Sequence, residues 1–199
     1  SASNTTVASA GKEFIYAGGS ASGATIASGG TQYVYGSATG TTLSGGTEYV
    51  YAGGTASNTT INGADGFVKI NTGATLSGVT LNGGTLEITS GGSVGAASLT
   101  FVSGGMLQLD NSQTFSGTIS GFNSTNPDKI DLVDIAFGAQ TTLGYTSSTN
   151  SGTLQVSDGT HTANLLLLGN YVAGNFTAQT DGHGGTLITD PPVITPPHS

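Results

Sequence analysis

The chain has 199 residues and a formal net charge of −8, with Lys12, Lys69 and Lys129 as its lysines, no arginine, no cysteine and 34 glycines. So few cations leave nothing to neutralise phosphates, which argues against a nucleic-acid partner and against an anionic membrane surface, and the lack of cysteine rules out a disulfide framework or a thiolate metal site. Hydrophobic residues make up 35% of the chain and recur at fixed intervals, which a disordered Gly/Ser linker does not do.

The chain opens on Ser1-Ala2-Ser3-Asn4-Thr5-Thr6-Val7, which returns as Thr55-Ala56-Ser57-Asn58-Thr59-Thr60-Ile61. It therefore reads as entering in mid-phrase, as a fragment or processed product would, and no stretch reads as a signal peptide or a transmembrane run. Phrases start near Ser1, Ser20, Ser37, Thr55, Thr75 and Ser93, in steps of 19, 17, 18, 20 and 18 residues. In each, a Thr-rich strand ends in one apolar residue (Val7, Ile26, Leu43, Ile61, Leu81, Leu99). A second strand carries another (Ile15, Val34, Val50, Val68, Ile88, Leu109). Two aliphatic columns, one residue of each per phrase, are what a stack of turns buries between neighbours, and Gly-Gly pairs such as Gly45-Gly46 supply the corners. The predicted fold class is all-β: a right-handed parallel β-solenoid over residues 1–111, of about six turns of 17–20 residues, ~29 Å long at a strand spacing of ~4.8 Å.

Alternation along the second strands decides what faces out. With Val34 and Val50 inward, Phe14, Tyr33, Tyr49 and Phe67 form one outward row, and Tyr16, Tyr35, Tyr51 and Lys69 the next. Later phrases place Glu87 and Thr89, then Gln108 and Asp110, at the same positions, as a solvent face allows. The candidate binding residues are therefore the rings of Phe14, Tyr16, Tyr33, Tyr35, Tyr49, Tyr51 and Phe67. A contiguous exposed apolar patch marks a contact surface, and burying each ring is worth roughly 1.5–3 kcal/mol. A plainer reading has the rings stack on one another and merely stiffen the rod.

From about Asn111 the period fails. Residues 112–190 read as an antiparallel or mixed β domain that caps the open end of the rod. One hairpin turns at Asp158-Gly159, a second at Asp181–Gly185, and Leu165 to Leu168 reads as a short buried run. Residues 191–199 are a Pro-rich, extended tail.

Little in the chain suggests chemistry. Glu13 and Glu48 fall in equivalent columns about two strand spacings (~9.6 Å) apart, near the separation of a glycosidase pair, but they read as solvated ladder positions and the protein as a non-enzyme. His161, His183 and His198 do not supply the three or four convergent ligands of a zinc site. No cofactor or metal is expected; Asp128, Asp131 and Asp181 are weak calcium candidates, but no full Gly/Asp nonapeptide repeat is present and they read as turns and solvated acids.

The Gly-Gly-Thr-x-Tyr-Val-Tyr and Ala-Ser-x-Thr-Thr phrases resemble the passenger repeats of AIDA-type self-associating bacterial autotransporter adhesins. The stretch from Asp128-Lys129-Ile130-Asp131-Leu132 through Leu167-Leu168-Gly169-Asn170-Tyr171 to Asp181-Gly182-His183-Gly184-Gly185 is similar to a C-terminal module of large secreted proteobacterial proteins. Together the two span nearly the whole chain, which departs from the autotransporters in showing no recognisable membrane barrel. The resemblance implies an extracellular or bacterial cell-surface β-helix used in adhesion, aggregation or biofilm, sometimes with sugars on Ser or Thr. The expected partner is a second copy, joined through the ladder or head-to-tail through the unpaired edge of the first turn, with no membrane insertion. The alternative is a carbohydrate-binding or surface-anchoring module of a larger secreted protein, with glycans as the partner.

Overall fold

The computed structural model describes residues 1–95, 98–123, 125 and 128–190. The tail 191–199, with His198, lies outside the described residues. Two sheets wind around a shared interior. One, of nine strands, contains a parallel ladder of seven rungs: Lys12–Ile15, Thr31–Val34, Thr47–Val50, Phe67–Ile70, Thr85–Ile88, Gly105–Leu109 and Asp128–Leu132. The other, of 14 strands, collects the Ser- and Thr-rich segments, from Ala2–Ser3 and Thr6–Val7 through Thr55–Asn62 and Thr75–Asn82 to Thr118–Ser120. The solenoid thus makes about seven turns. The last is built from Thr118–Ser120 and Asp128–Leu132, beyond the point where the sequence period breaks, because parallel pairing continues while the connections lengthen.

The corners explain two features of the sequence. One corner falls on Asn4, Gly23, Gly40, Asn58 and Gly78, all with φ between 52° and 77°, a left-handed conformation that asparagine tolerates better than other residues with a Cβ. At the Gly45-Gly46 corner the first residue has φ 79°, and a Cβ on the second would lie 2.5 Å from Ile26 Cγ2. The glycine pair there serves both conformation and close approach.

Inside, the column Val7, Ile26, Leu43, Ile61, Leu81, Phe101 runs down one wall, and Ile15, Val34, Val50, Ile70, Ile88, Leu109, Leu132 down the other. Two assignments differ from the expected columns. Leu99 lies in the neighbouring column beside Val79, with Phe101 in its place. Val68 pairs with Glu48, and Ile70 takes the place beside Val50. The corner Gly63–Gly66 is two residues longer than its equivalent at Gly45-Gly46, so the register shifts by two, and an even shift leaves the inward and outward faces unchanged.

Antiparallel strands end both sheets. Thr142–Ser148, Ser151–Ser157 and Thr162–Leu168 form a meander that joins Thr118–Ser120 in parallel. The hairpin Thr177–Thr180 with Thr186–Thr189 adds antiparallel to Asp128–Leu132. Leu165 to Leu168 is not a uniformly buried run: Leu165 and Leu167 face the core, and Leu166 and Leu168 are each 39% exposed, as strand alternation requires.

Candidate functional site

The rungs Lys12–Ile15, Thr31–Val34 and Thr47–Val50 carry the aromatic strip. Phe14 pairs with Tyr33 and Tyr33 with Tyr49, while Tyr16, Tyr35 and Tyr51 follow one residue beyond the end of each rung. Phe14 lies on Tyr33 with centroids 4.7 Å apart and planes 12° from parallel; Tyr35 lies on Tyr51 at 4.7 Å and 7°; Tyr33 lies on Tyr49 at 5.7 Å and 19°. The spacing is close to that of neighbouring strands, so Phe14, Tyr33 and Tyr49 stack in one column and Tyr35 on Tyr51 in the next, while Tyr16 lies against Phe14 of its own rung at 6.2 Å. Ring faces are thereby largely covered by one another, and ring edges are turned to solvent. Phe14, Tyr16 and Tyr35 remain 47%, 70% and 37% exposed. Burial first, then the neighbouring tyrosines, pushes the Tyr51 hydroxyl pKa up.

The two-residue register shift changes how the strip ends. Phe67 does not continue the row of Tyr49; it stands beside Thr47 and meets the Tyr49 ring edge-on at 6.2 Å. Lys69 pairs with Tyr49 and is bonded to Glu87 of the next rung. The outward row therefore reads Phe14, Tyr33, Tyr49, Lys69, Glu87, Gln108, Asp131, aromatic at one end and polar or charged at the other.

The reverse side of the same strands departs from the sequence reading. Glu48 is not a solvated ladder position. Both it and Gln32 are fully buried, because each lies two residues before an inward valine and shares its face. Gln32 Nε2 donates to Glu13 Oε2 at 2.6 Å, Thr41 Oγ1 donates to Gln32 Oε1 at 3.2 Å, and Thr59 Oγ1 donates to Glu48 Oε2 at 3.3 Å. Glu48 Oε1 has no partner. Burial pushes the Glu48 carboxyl pKa up to about 7, against smaller opposing effects of the Thr59 and Thr41 hydroxyls. Sealed inside, Glu48 cannot form a surface carboxylate pair with Glu13. The sequence signal for this interior was alternation itself, since Gln32 and Glu48 stand two residues before Val34 and Val50.

The inward turn of Glu48 also shapes the surface charge. Residues 1–64 contain two acids, Glu13 and Glu48, and the other nine lie at Asp65 and beyond. With Glu48 buried and Glu13 half-buried, the surface around the strip is nearly free of carboxylates.

The three calcium candidates are not on one face. Asp128 shares the inward parity of Ile130 and Leu132 and accepts from the Asn123 amide at 3.0 Å. Asp131 has outward parity beside Gln108, with Oδ1 unpartnered. Its carboxyl pKa is pushed up to about 6, by burial first and then by the Asp181 charge. Asp181 Oδ1 accepts from the His183 and Gly185 amides at 2.6 and 2.9 Å, which shapes the Gly-rich turn. His161 stays in its exposed hairpin turn, 3.2 Å from Asp158. Among the described residues no three His, Asp or Glu side chains converge as metal ligands.

Fold and surface together define a parallel β-solenoid repeat protein bearing a stacked aromatic strip. No family model matches the chain, and no curated protein matches it. Among solved structures it is similar to the crystal structure of a TibC-catalysed hyper-glycosylated fragment, residues 55–350, of TibA. The identity is 32% and the TM-score 0.49, over 60% of this chain and 43% of that one. The chain therefore spans less than half the length of that fragment.

Proposed function

We propose that this chain is a non-enzymatic structural module of an adhesive protein on a bacterial surface or secreted from it, and that the aromatic strip binds another copy of the same chain. The observation that carries this reading is a run of stacked, part-exposed rings on a nearly carboxylate-free surface of an acidic molecule. A patch of this kind on a monomer marks a contact site. Between the two expected partners, ring geometry favours a second copy. A pyranose stacks on an open ring face, and here both faces of Tyr33 and one face each of Tyr49, Tyr35 and Tyr51 are occupied by neighbouring rings. A second rod offers edges at the same rung spacing.

The contact is weak taken singly. Covering the exposed parts of six rings, of which Tyr33, Tyr49 and Tyr51 are the more buried, contributes roughly 3–8 kcal/mol, and association costs about 4–15 kcal/mol in lost rigid-body freedom. Such a surface is effective when many rods are displayed together, as on a cell or in a matrix.

Light scattering against protein concentration tests the proposal. The unaltered chain should gain mass as concentration rises, and Tyr33→Ala with Tyr49→Ala should shift that rise at least tenfold higher while leaving far-ultraviolet circular dichroism unchanged. Equal self-association of both proteins would refute the strip as the contact. A monomeric chain retained on glycans through Tyr16, whose ring is the most open, would instead favour the carbohydrate-binding reading.

A further inference from the structure

The three rungs that present the aromatic rings are also the three whose interior is polar. On alternate residues they carry Glu13, Gln32 and Glu48 inward, and the same inward position in the four later rungs is Val68, Leu86, Leu107 and Ile130. The facing wall changes in step: Thr41 and Thr59 stand opposite the polar rungs, and Val79, Leu99 and Ile119 continue their column. Along these two columns the polar interior is thus confined to the part of the rod beneath the strip; a further inward acid, Asp128, lies in the last rung at the far end. Glu48 is sealed within it, with one carboxyl oxygen bonded to Thr59 and the other to nothing.

The groups around Glu48 offer its charge no counter-ion. On its own sheet the neighbouring rungs contribute Gln32 and Val68, and Glu13 lies two rungs away, hydrogen-bonded to Gln32. The opposite wall contributes Thr41, Thr59, Leu43 and Ile61, all uncharged. Lys69 lies on the outward row with its ammonium on Glu87, and Lys12 is exposed. An ionised carboxylate in this position is buried with threonine hydroxyls beside it and no counter-charge.

We propose that proton binding at Glu48 controls how often the aromatic rungs open: with the carboxyl neutral the first three rungs hold together and the rings stay stacked, and as it ionises local opening of these rungs, with loss of the stack, becomes far more frequent. The consequence for association rests on the reading of the strip as a self-contact; the opening itself does not. In the folded rungs the carboxyl holds its proton up to about pH 7, against 4.5 when exposed. The folded form therefore binds the proton more tightly. The stability this confers is complete below pH 4.5, is lost as pH rises toward 7, and changes no further above that. Each pH unit in the window raises the opening constant tenfold, about 300-fold in all.

Hydrogen exchange on the intact chain, corrected for intrinsic rates, tests the gate between pH 5 and 8, with near-ultraviolet circular dichroism of the tyrosines and light scattering in parallel. Protection of amides in Thr31–Val34 and Thr47–Val50 should fall tenfold per pH unit up to pH 7 relative to Thr85–Ile88, and then level off. Glu48→Gln should abolish that fall; if this variant does not fold, Glu48→Leu, which copies the later rungs, replaces it. Equal protection profiles for the unaltered chain and the variant would overturn the gate. If protection falls as stated and no association is seen at any pH, the gate stands and the self-contact reading fails. Strong association with flat protection would overturn the gate and leave the self-contact standing.

Discussion

Ile61→Ala is expected to lower the free energy of unfolding by about 4 kcal/mol, within the range for an Ile-to-Ala truncation in a core that relaxes only partly. Ile61 is fully buried at the middle of its column, between Leu43 and Leu81. Gly66 and Gly84 approach so closely that a Cβ on either would lie 2.7 Å from Ile61 Cγ2. Corners packed that tightly against the side chain have backbone on all sides and little means of collapsing into the space it vacates. Each turn of a solenoid is stabilised by its neighbours, so the loss falls on the junction between the aromatic turns and the rest of the rod. Chemical denaturation followed by circular dichroism measures it, and a loss below about 1 kcal/mol would mean that the column is not packed as described.

Glu48→Gln is expected to stabilise the chain at neutral pH and to leave it unchanged in acid. The glutamine keeps an acceptor for Thr59 and cannot ionise. Because burial lifts the Glu48 pKa from 4.5 to about 7, the unaltered chain has lost about 3 kcal/mol of this contribution by pH 7.5, at 1.36 kcal/mol per unit. The variant avoids that loss. For a chain of this size the difference corresponds to a rise in thermal midpoint of about 6–12 °C at pH 7.5, and to almost none at pH 4. Burial displaces the Asp131 carboxyl pKa in the same direction, but that contribution is common to both proteins and cancels in the comparison. A midpoint shift of equal size at both pH values would assign the gain to packing and not to ionisation.

Much of this architecture is legible in the residues. The step of 17–20 residues, the glycine corners and the repeated Val, Ile and Leu positions specify a parallel solenoid, and strand alternation correctly turns Tyr33 and Tyr49 outward. What the sequence reading lost came from two sources. At Gly63–Gly66 two extra corner residues moved Phe67 and Lys69 along the ladder, a change that the 20-residue step from Thr55 to Thr75 registers without locating. At Gln32 and Glu48, polarity argued for the surface while period-two alternation argued for the core. Alternation prevailed because Thr41 and Thr59, nine and eleven residues away in sequence, supply hydroxyls across the interior. A partner on the opposite wall is invisible until the winding is known. The seventh turn was hidden because Asp128–Leu132 follows Gly105–Leu109 at a register offset of 23 residues, outside the 17–20-residue step, and without the repeated phrase.

Single cysteines along Thr47–Val50 test most directly the claim that one strand carries rings outside and a carboxyl inside. The chain has no cysteine of its own, so Thr47→Cys, Glu48→Cys, Tyr49→Cys and Val50→Cys can each be labelled with a thiol reagent without background. Labelling should be fast at positions 47 and 49 and at least a hundredfold slower at 48 and 50. Fast labelling at 48 and 50 with protection at 47 and 49 would place the tyrosines in the interior, and the aromatic strip would not exist as a surface.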